Sequence, residues 1–60
     1  MKRGELVRLL EKSGCCLDRE GGRHSIYLNP ATGKKAPMPR HMEIDNKLAK
    51  KIRRQLGLED

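Results

Sequence analysis

Residues 21–28 read GGRHSIYL and decide the fold, because they place a turn and then a strand near the middle of the chain. The two glycines permit a tight turn, and the residues after them alternate with the period of two that is typical of a strand. His24 falls on the same face of this strand as Ile26 and Leu28, so we expect that face to be anchored in the core. The side chains expected on the opposite face are Arg23, Ser25 and Tyr27.

The chain before this turn predicts a helix and then a strand. The sequence LVRLL at residues 6–10 has apolar residues at helical spacing, and Gly14 is a typical helix stop. A period-two pattern then runs through residues 15–20 and predicts a first strand, with Cys15 and Leu17 facing the core.

The chain after the central strand predicts a hairpin, a third strand and a closing helix. The sequence NPATG at residues 29–33 has the Asn, Pro and Gly of a five-residue hairpin loop. Residues 34–38 are compatible with a strand, although Pro37 lacks a ladder donor and therefore either places the strand at a sheet edge or makes it short. Asp45 is a suitable N-cap for a helix that ends at Gly57. The apolar stripe of this helix comprises Leu48, Ala49, Ile52 and Leu56.

The predicted order is helix, three antiparallel strands, helix. This is an α+β fold (αβββα) in which both helices pack on one face of a three-stranded sheet. Sixty residues are enough for one small domain with a simple core, so we expect a single domain over residues 1–60.

The composition indicates a polyanionic partner. The chain has 14 Lys and Arg against 8 Asp and Glu, a net charge of +6, and RNA, DNA or an acidic protein would fit this charge. Cys15 and Cys16 are adjacent, which disfavours a disulfide between them, so a reducing compartment is indicated. No continuous apolar run resembles a signal peptide or a membrane span, so we expect a cytoplasmic protein without membrane association.

Four segments in this order and spacing resemble the HicA toxin family, small bacterial messenger-RNA interferases whose fold is similar to the double-stranded RNA-binding domain (dsRBD). The segments are ELVRLLEK closed by Gly14, GRH followed by SIY at residues 22–27, PRH at residues 39–41, and IRRQLGL at residues 52–58. The family's catalytic histidine lies in a glycine, any residue, histidine motif, which implies that His24 is catalytic here. Members often carry a second histidine directly after the catalytic one. This chain has Ser25 at that position, and Ser25 is the auxiliary candidate there. The resemblance also implies a cognate HicB-like antitoxin that covers the active face.

RNA cleavage needs a base for the 2′-hydroxyl, an acid for the leaving 5′-oxygen and positive charge on the phosphate. Imidazole, with an ordinary pKa of about 6.5, is suited to proton transfer, and His24 is the candidate. Without the resemblance, a half-buried structural histidine is the more common interpretation of a single histidine in a strand. The candidate phosphate contacts near it are Arg23, Lys35 and Arg40.

Two further residues have open roles. His41 either lies near the phosphate path or packs at the start of the last helix. Tyr27 either stacks on one base or packs within its strand, and a single aromatic residue excludes a multi-aromatic platform for single strands.

The last helix carries a basic stripe of Lys47, Lys51 and Arg54, which is either a solvated face or a contact surface for RNA phosphates. No spacing of Cys and His matches a zinc site, and the acidic residues are scattered, so we expect no metal and no cofactor. We therefore predict a metal-independent endoribonuclease toxin that acts on messenger RNA. The alternatives are a non-catalytic RNA-binding module of the same fold and a domain that recognises an acidic protein.

Overall fold

A computed structural model of the chain describes residues 1–58 and has the predicted order of elements. The strands form one antiparallel sheet in the order β1-β2-β3, so the central strand is the one that follows the two glycines. The predicted αβββα fold is therefore confirmed. The elements are α1 (Arg3–Lys12), β1 (Cys16–Glu20), β2 (His24–Asn29), β3 (Lys34–Pro39) and α2 (Asn46–Gln55).

Both helices end two residues before the predicted glycines. Gly14 and Gly57 have φ of +92° and +78°, a conformation in which a residue without a Cβ is favoured. The amide after each glycine donates to the carbonyl five residues earlier, at 2.9 Å in α1 and 2.8 Å in α2. This Schellman-type ending turns Leu58 back against the core. Asp45 is the N-cap residue of α2 as predicted, although its side chain makes no capping hydrogen bond.

The core lies between one face of the sheet and the two helices, as predicted. Both helices contribute fully buried residues to a cluster that includes side chains from β2 and β3. The buried members are Leu6, Leu10, Cys15, Tyr27, Ala36, Met38, Ile44, Ala49, Ile52 and Leu56.

The face of β2 that meets this core is the opposite of the predicted one. Ser25, Tyr27 and Asn29 are buried, whereas His24 is exposed and the apolar side chains beside it on the other face are only half-buried. The pairing with β3 explains the difference, since Met38 lies opposite Ser25 and both face the helices. His24 therefore lies on the less buried face of β2, at the first residue of the strand.

Strand β1 and strand β3 are the two edges of the sheet. The prediction that Pro37 lies in an edge strand is confirmed. The prediction that Leu17 faces the core is wrong, because its side chain is 46% exposed. Its strand shifts register between Leu17 and Arg19, and such a bulge turns an edge strand away from the regular ladder.

Asn29 joins the β2–β3 turn to the end of α2. Its buried side-chain amide donates to the Leu56 carbonyl at 2.7 Å, and its Oδ1 accepts from the Ala31 amide at 3.1 Å. One side chain thus satisfies a carbonyl at the helix end and shapes the turn. Within residues 1–58, no helix is long and apolar enough to cross a membrane.

Candidate active site

The two histidines of the chain lie together at one end of the sheet. His24 is the first residue of β2 and pairs with Pro39, the last residue of β3. The chain then leaves the sheet, and His41 lines the same two clefts as His24. These clefts have volumes of about 420 Å³ and 320 Å³, within the range of small ligand sites.

Positive charge surrounds both imidazoles. The first cleft is lined by Arg23 and Arg40, and the second by Lys51 of α2. Both histidines are exposed, and within residues 1–58 neither imidazole takes part in a hydrogen bond or an ion pair. The arrangement offers two accessible proton carriers in a basic setting. The remaining lining residues are Gly22, Pro37, Pro39, Leu48, Ile52 and Gln55.

Arg40 holds the turn that precedes His24. Its guanidinium donates to the carbonyl of Gly22 at 2.9 Å, to the carbonyl of Gly21, and to the carbonyl of His24 at 3.5 Å. It also forms an ion pair with the carboxylate of Glu20 at 2.6 Å. The sequence predicts Arg40 as a phosphate contact. In the structure its guanidinium donates to protein oxygens instead and holds the turn in place.

Glu20 and Ser25 connect Arg40 to the first helix through further hydrogen bonds. The Ser25 hydroxyl donates to Glu20 Oε1 at 2.8 Å and accepts from the Arg3 guanidinium at 3.2 Å. Arg3, from the first turn of α1, also donates to the Pro39 carbonyl at 2.9 Å. Hydrogen bonds from Arg40 and then from Ser25 lower the pKa of the Glu20 carboxyl below its ordinary value.

We name this set of side chains the turn network. Its members are Arg3, Glu20, Ser25 and Arg40. The sequence prediction missed Arg3 and Glu20, because their contacts join the first helix and the first strand to residues far along the chain. The only signal in the sequence was that each can pair with an opposite charge.

Lys35 lies away from the two histidines. It pairs with Leu28, four residues along the ladder from the pair that contains His24, or about 13 Å at the rise of a strand. Its ammonium group forms an ion pair with Asp18 at 3.2 Å. Lys35 therefore does not line the clefts of the two histidines, and its role as a phosphate contact stays a prediction.

Ser25 and Tyr27 are not at the surface. Ser25 is 1% exposed and belongs to the turn network, and Tyr27 is 6% exposed and packs in the core. Burial raises the pKa of the Tyr27 hydroxyl. Of the two alternatives for Tyr27, the structure shows packing within the strand, because a ring so buried has no free face on which a base can stack.

The basic stripe of α2 is exposed over its length, and Lys51 is the member that lines a cleft with the histidines. Among residues 1–58, no group of three or more His, Cys, Asp or Glu is placed to hold a metal ion. Both cysteines are free, with Cys15 buried and Cys16 exposed. The other two members of the stripe are Lys47 and Arg54.

Comparison with known proteins identifies the family. Residues 3–58 match the family model described as the HicA toxin of bacterial toxin-antitoxin systems. The chain belongs to the HicA toxin family. HicA toxins are in general ribonuclease toxins. A search of curated proteins returned no match.

A solved structure supports the same assignment. A chain in the crystal structure of the E. coli HicAB toxin-antitoxin complex is 37% identical, with a TM-score of 0.80. The alignment covers 97% of this chain and 100% of that chain, so the similarity extends over the whole HicA fold.

Proposed function

We propose that this HicA protein is an endoribonuclease that cleaves messenger RNA with His24, without a metal, as the toxin of a toxin-antitoxin pair. The observation that carries the proposal is the place of His24, which is an exposed imidazole at the end of β2 in a cleft lined by cationic side chains. Membership of the HicA toxin family, whose members are in general ribonuclease toxins, supports RNA as the class of substrate for this cleft.

His24 acts as the base in this scheme. It takes the proton of the ribose 2′-hydroxyl, and the 2′-oxygen then attacks the adjacent phosphorus. The bond from phosphorus to the 5′-oxygen breaks, which leaves a 2′,3′-cyclic phosphate and a 5′-hydroxyl end. The nucleophile belongs to the RNA, so the protein has to supply only proton transfer and charge stabilisation.

Positive side chains beside His24 stabilise the charge that develops on the phosphate. Arg23 and Lys51 line the two clefts and supply this charge locally, and Lys47 and Arg54 extend the surface along α2. Lys35 and Arg40 are each engaged with acidic or carbonyl partners in the free protein, so we assign the phosphate contacts to the other four residues. RNA phosphates tracking along the exposed face of α2 would thus lead towards His24.

A HicB-like antitoxin is the proposed protein partner. The similar E. coli chain was crystallised in a HicAB toxin-antitoxin complex. A net charge of +6 favours a partner with an acidic surface, because complementary charge speeds association and adds specificity. Such an antitoxin would inhibit by covering the face that holds His24.

The test is cleavage of a labelled messenger RNA by the purified protein in EDTA. We expect wild-type protein to cut and leave cyclic-phosphate ends, and His24→Ala to lose about 10²–10⁴-fold in rate. Met42→Ala is the matched control, because Met42 is 85% exposed and lies outside both clefts. Cleavage by His24→Ala at the wild-type rate would refute the role of His24, and a strict need for a divalent ion would refute the metal-independent mechanism.

The exposed basic stripe of α2 also supports a second function, an RNA-binding module without turnover. The same experiment separates the two. If neither wild type nor His24→Ala cuts, yet both bind RNA with affinity that falls steeply with salt, the binding module is the better description.

A further inference from the structure

Cleavage by the proposed route requires two proton transfers, one at the 2′-oxygen and one at the 5′-oxygen. A single imidazole cannot contact both oxygens at the same time. The 2′-oxygen enters on one side of the phosphorus, and the 5′-oxygen leaves from the opposite side. A base serves the first oxygen and an acid serves the second. If His24 takes the 2′-proton, another group has to protonate the departing 5′-oxygen.

The clefts beside His24 contain one other suitable proton donor. Their lining includes no carboxylate, no cysteine and no tyrosine, and the ionisable residues besides the two histidines are Arg23, Arg40 and Lys51. Arginine and lysine serve as positive charges near neutrality, whereas imidazole both gives and accepts protons there. His41 lines both clefts together with His24 and has no bonding partner among residues 1–58.

The backbone on either side supports a fixed relation between the two histidines. His24 is tied into β2 and pairs with Pro39, and His41 follows only two residues later. Arg40, which lies between Pro39 and His41, donates hydrogen bonds to three backbone carbonyls and forms an ion pair with Glu20. The segment that contains His41 is therefore attached to the turn that precedes His24.

We propose that His41 is a second catalytic residue of this protein, the acid that protonates the leaving 5′-oxygen while His24 accepts the 2′-proton. This assignment rests on the proposed ribonuclease activity. In the step, the bond between the 2′-oxygen and phosphorus forms as the bond between phosphorus and the 5′-oxygen breaks. One proton passes from the 2′-hydroxyl to His24 and another passes from His41 to the 5′-oxygen, so charge and protons balance.

A modified substrate tests this role directly. The preferred cleavage site is first mapped with wild-type protein, and a short RNA is then made with sulfur in place of the bridging 5′-oxygen at that site. A thiolate leaves without being protonated, so an acid is not needed. We expect His41→Ala and His41→Gln to lose about 10²–10⁴-fold on ordinary RNA and to recover most of the wild-type rate on the sulfur-containing RNA.

Three further variants make the result specific. His24→Ala is expected to stay impaired on both substrates, because the base is needed whichever atom leaves. Lys51→Gln removes charge from the same cleft and is expected to lower both rates by the same factor. Met42→Ala, next to His41 but outside the two clefts, is expected to behave as wild type on both. Thermal unfolding of each variant verifies that it is folded at the assay temperature.

The outcomes separate this inference from the proposed function. Failure of the sulfur-containing RNA to rescue folded His41→Ala and His41→Gln, or wild-type cleavage of ordinary RNA by both, overturns the acid role of His41 and leaves His24 untouched. If His24→Ala cuts ordinary RNA as well as wild type, the proposed function itself fails.

Discussion

Replacement of Gly21 by alanine should damage the site much more than replacement of its neighbour Gly22. A Cβ on Gly21 would lie 2.8 Å from the backbone carbonyl oxygen of His24, a contact that folded proteins do not tolerate. The Gly21 amide already donates to that oxygen at 2.7 Å, so the two residues are held together. A Cβ on Gly22 would have no atom within 4 Å.

The size of the effect follows from this distance. Ordinary van der Waals contact begins at 3.4 Å, so the backbone at His24 must move by about 0.6 Å to accept the methyl group. A displacement of 1 Å at a catalytic group can cost about 100-fold in rate, so we expect Gly21→Ala to lose roughly 10- to 100-fold in the single-turnover rate constant of cleavage. Crowding of this kind should also lower the free energy of unfolding by about 1–3 kcal/mol.

Gly22→Ala is the matched control, with the same added methyl group one residue away. Its φ is not in the left-handed region, so we expect activity within a few-fold of wild type and stability unchanged or raised by up to about 1 kcal/mol. The assay is single-turnover RNA cleavage beside thermal unfolding. The resemblance places the motif glycine at Gly22, so loss of cleavage in folded Gly22→Ala with near-normal Gly21→Ala would refute this steric reasoning.

Two other predictions concern the contacts that hold the turn and the helix end. Asn29→Ala should lower the free energy of unfolding by about 1–3 kcal/mol, since the Leu56 carbonyl loses a buried hydrogen bond; urea unfolding measures this, and a loss below about 0.5 kcal/mol would contradict it. The lowered pKa of Glu20 means that its ion pair with Arg40 adds stability above the ordinary value of 4.5, and that this contribution is lost as the pH falls through the folded-state pKa. Glu20→Gln should therefore be less stable than wild type at pH 7, and the gap should close on acidification; a gap that widens towards low pH would show that the pair does not act this way.

The elements of the fold were predictable because each has a local cause. Gly14 and Gly57 stop the helices in conformations that glycine favours, and the sequence at residues 29–33 forms the turn between β2 and β3. Pro37 restricts its strand to an edge whatever the rest of the chain does. Each of these features depends on residues that are neighbours in the sequence, so it can be predicted from one sequence without an alignment.

The covered face of β2 was not predictable from its own alternation. Ile26 and Leu28 are more apolar than Ser25 and Asn29, so the pattern favoured the wrong face. The structure buries the more polar pair because Ser25 is satisfied by Arg3 and Glu20, and Asn29 by the end of α2. Partners so distant in sequence give no signal in the strand itself.

The same contacts limit how much of the net charge is available to RNA. Arg3 and Arg40 are engaged with carbonyl oxygens, and Arg40 also with a carboxylate. Near the two histidines, the cationic residues proposed to meet phosphates are therefore Arg23 and the exposed stripe on α2. Each phosphate contact with a single strand contributes about −0.7 to the slope of log K against log salt concentration. Four contacts predict a slope near −3, and Lys51→Gln should reduce its magnitude by about 0.7 whereas Arg40→Gln should leave it unchanged and act on kcat instead. An Arg40→Gln variant with a shallower slope and a normal kcat would show that Arg40 leaves Glu20 to bind the phosphate. The contacts of Arg40 with Glu20 and the turn would then form only in the protein without RNA.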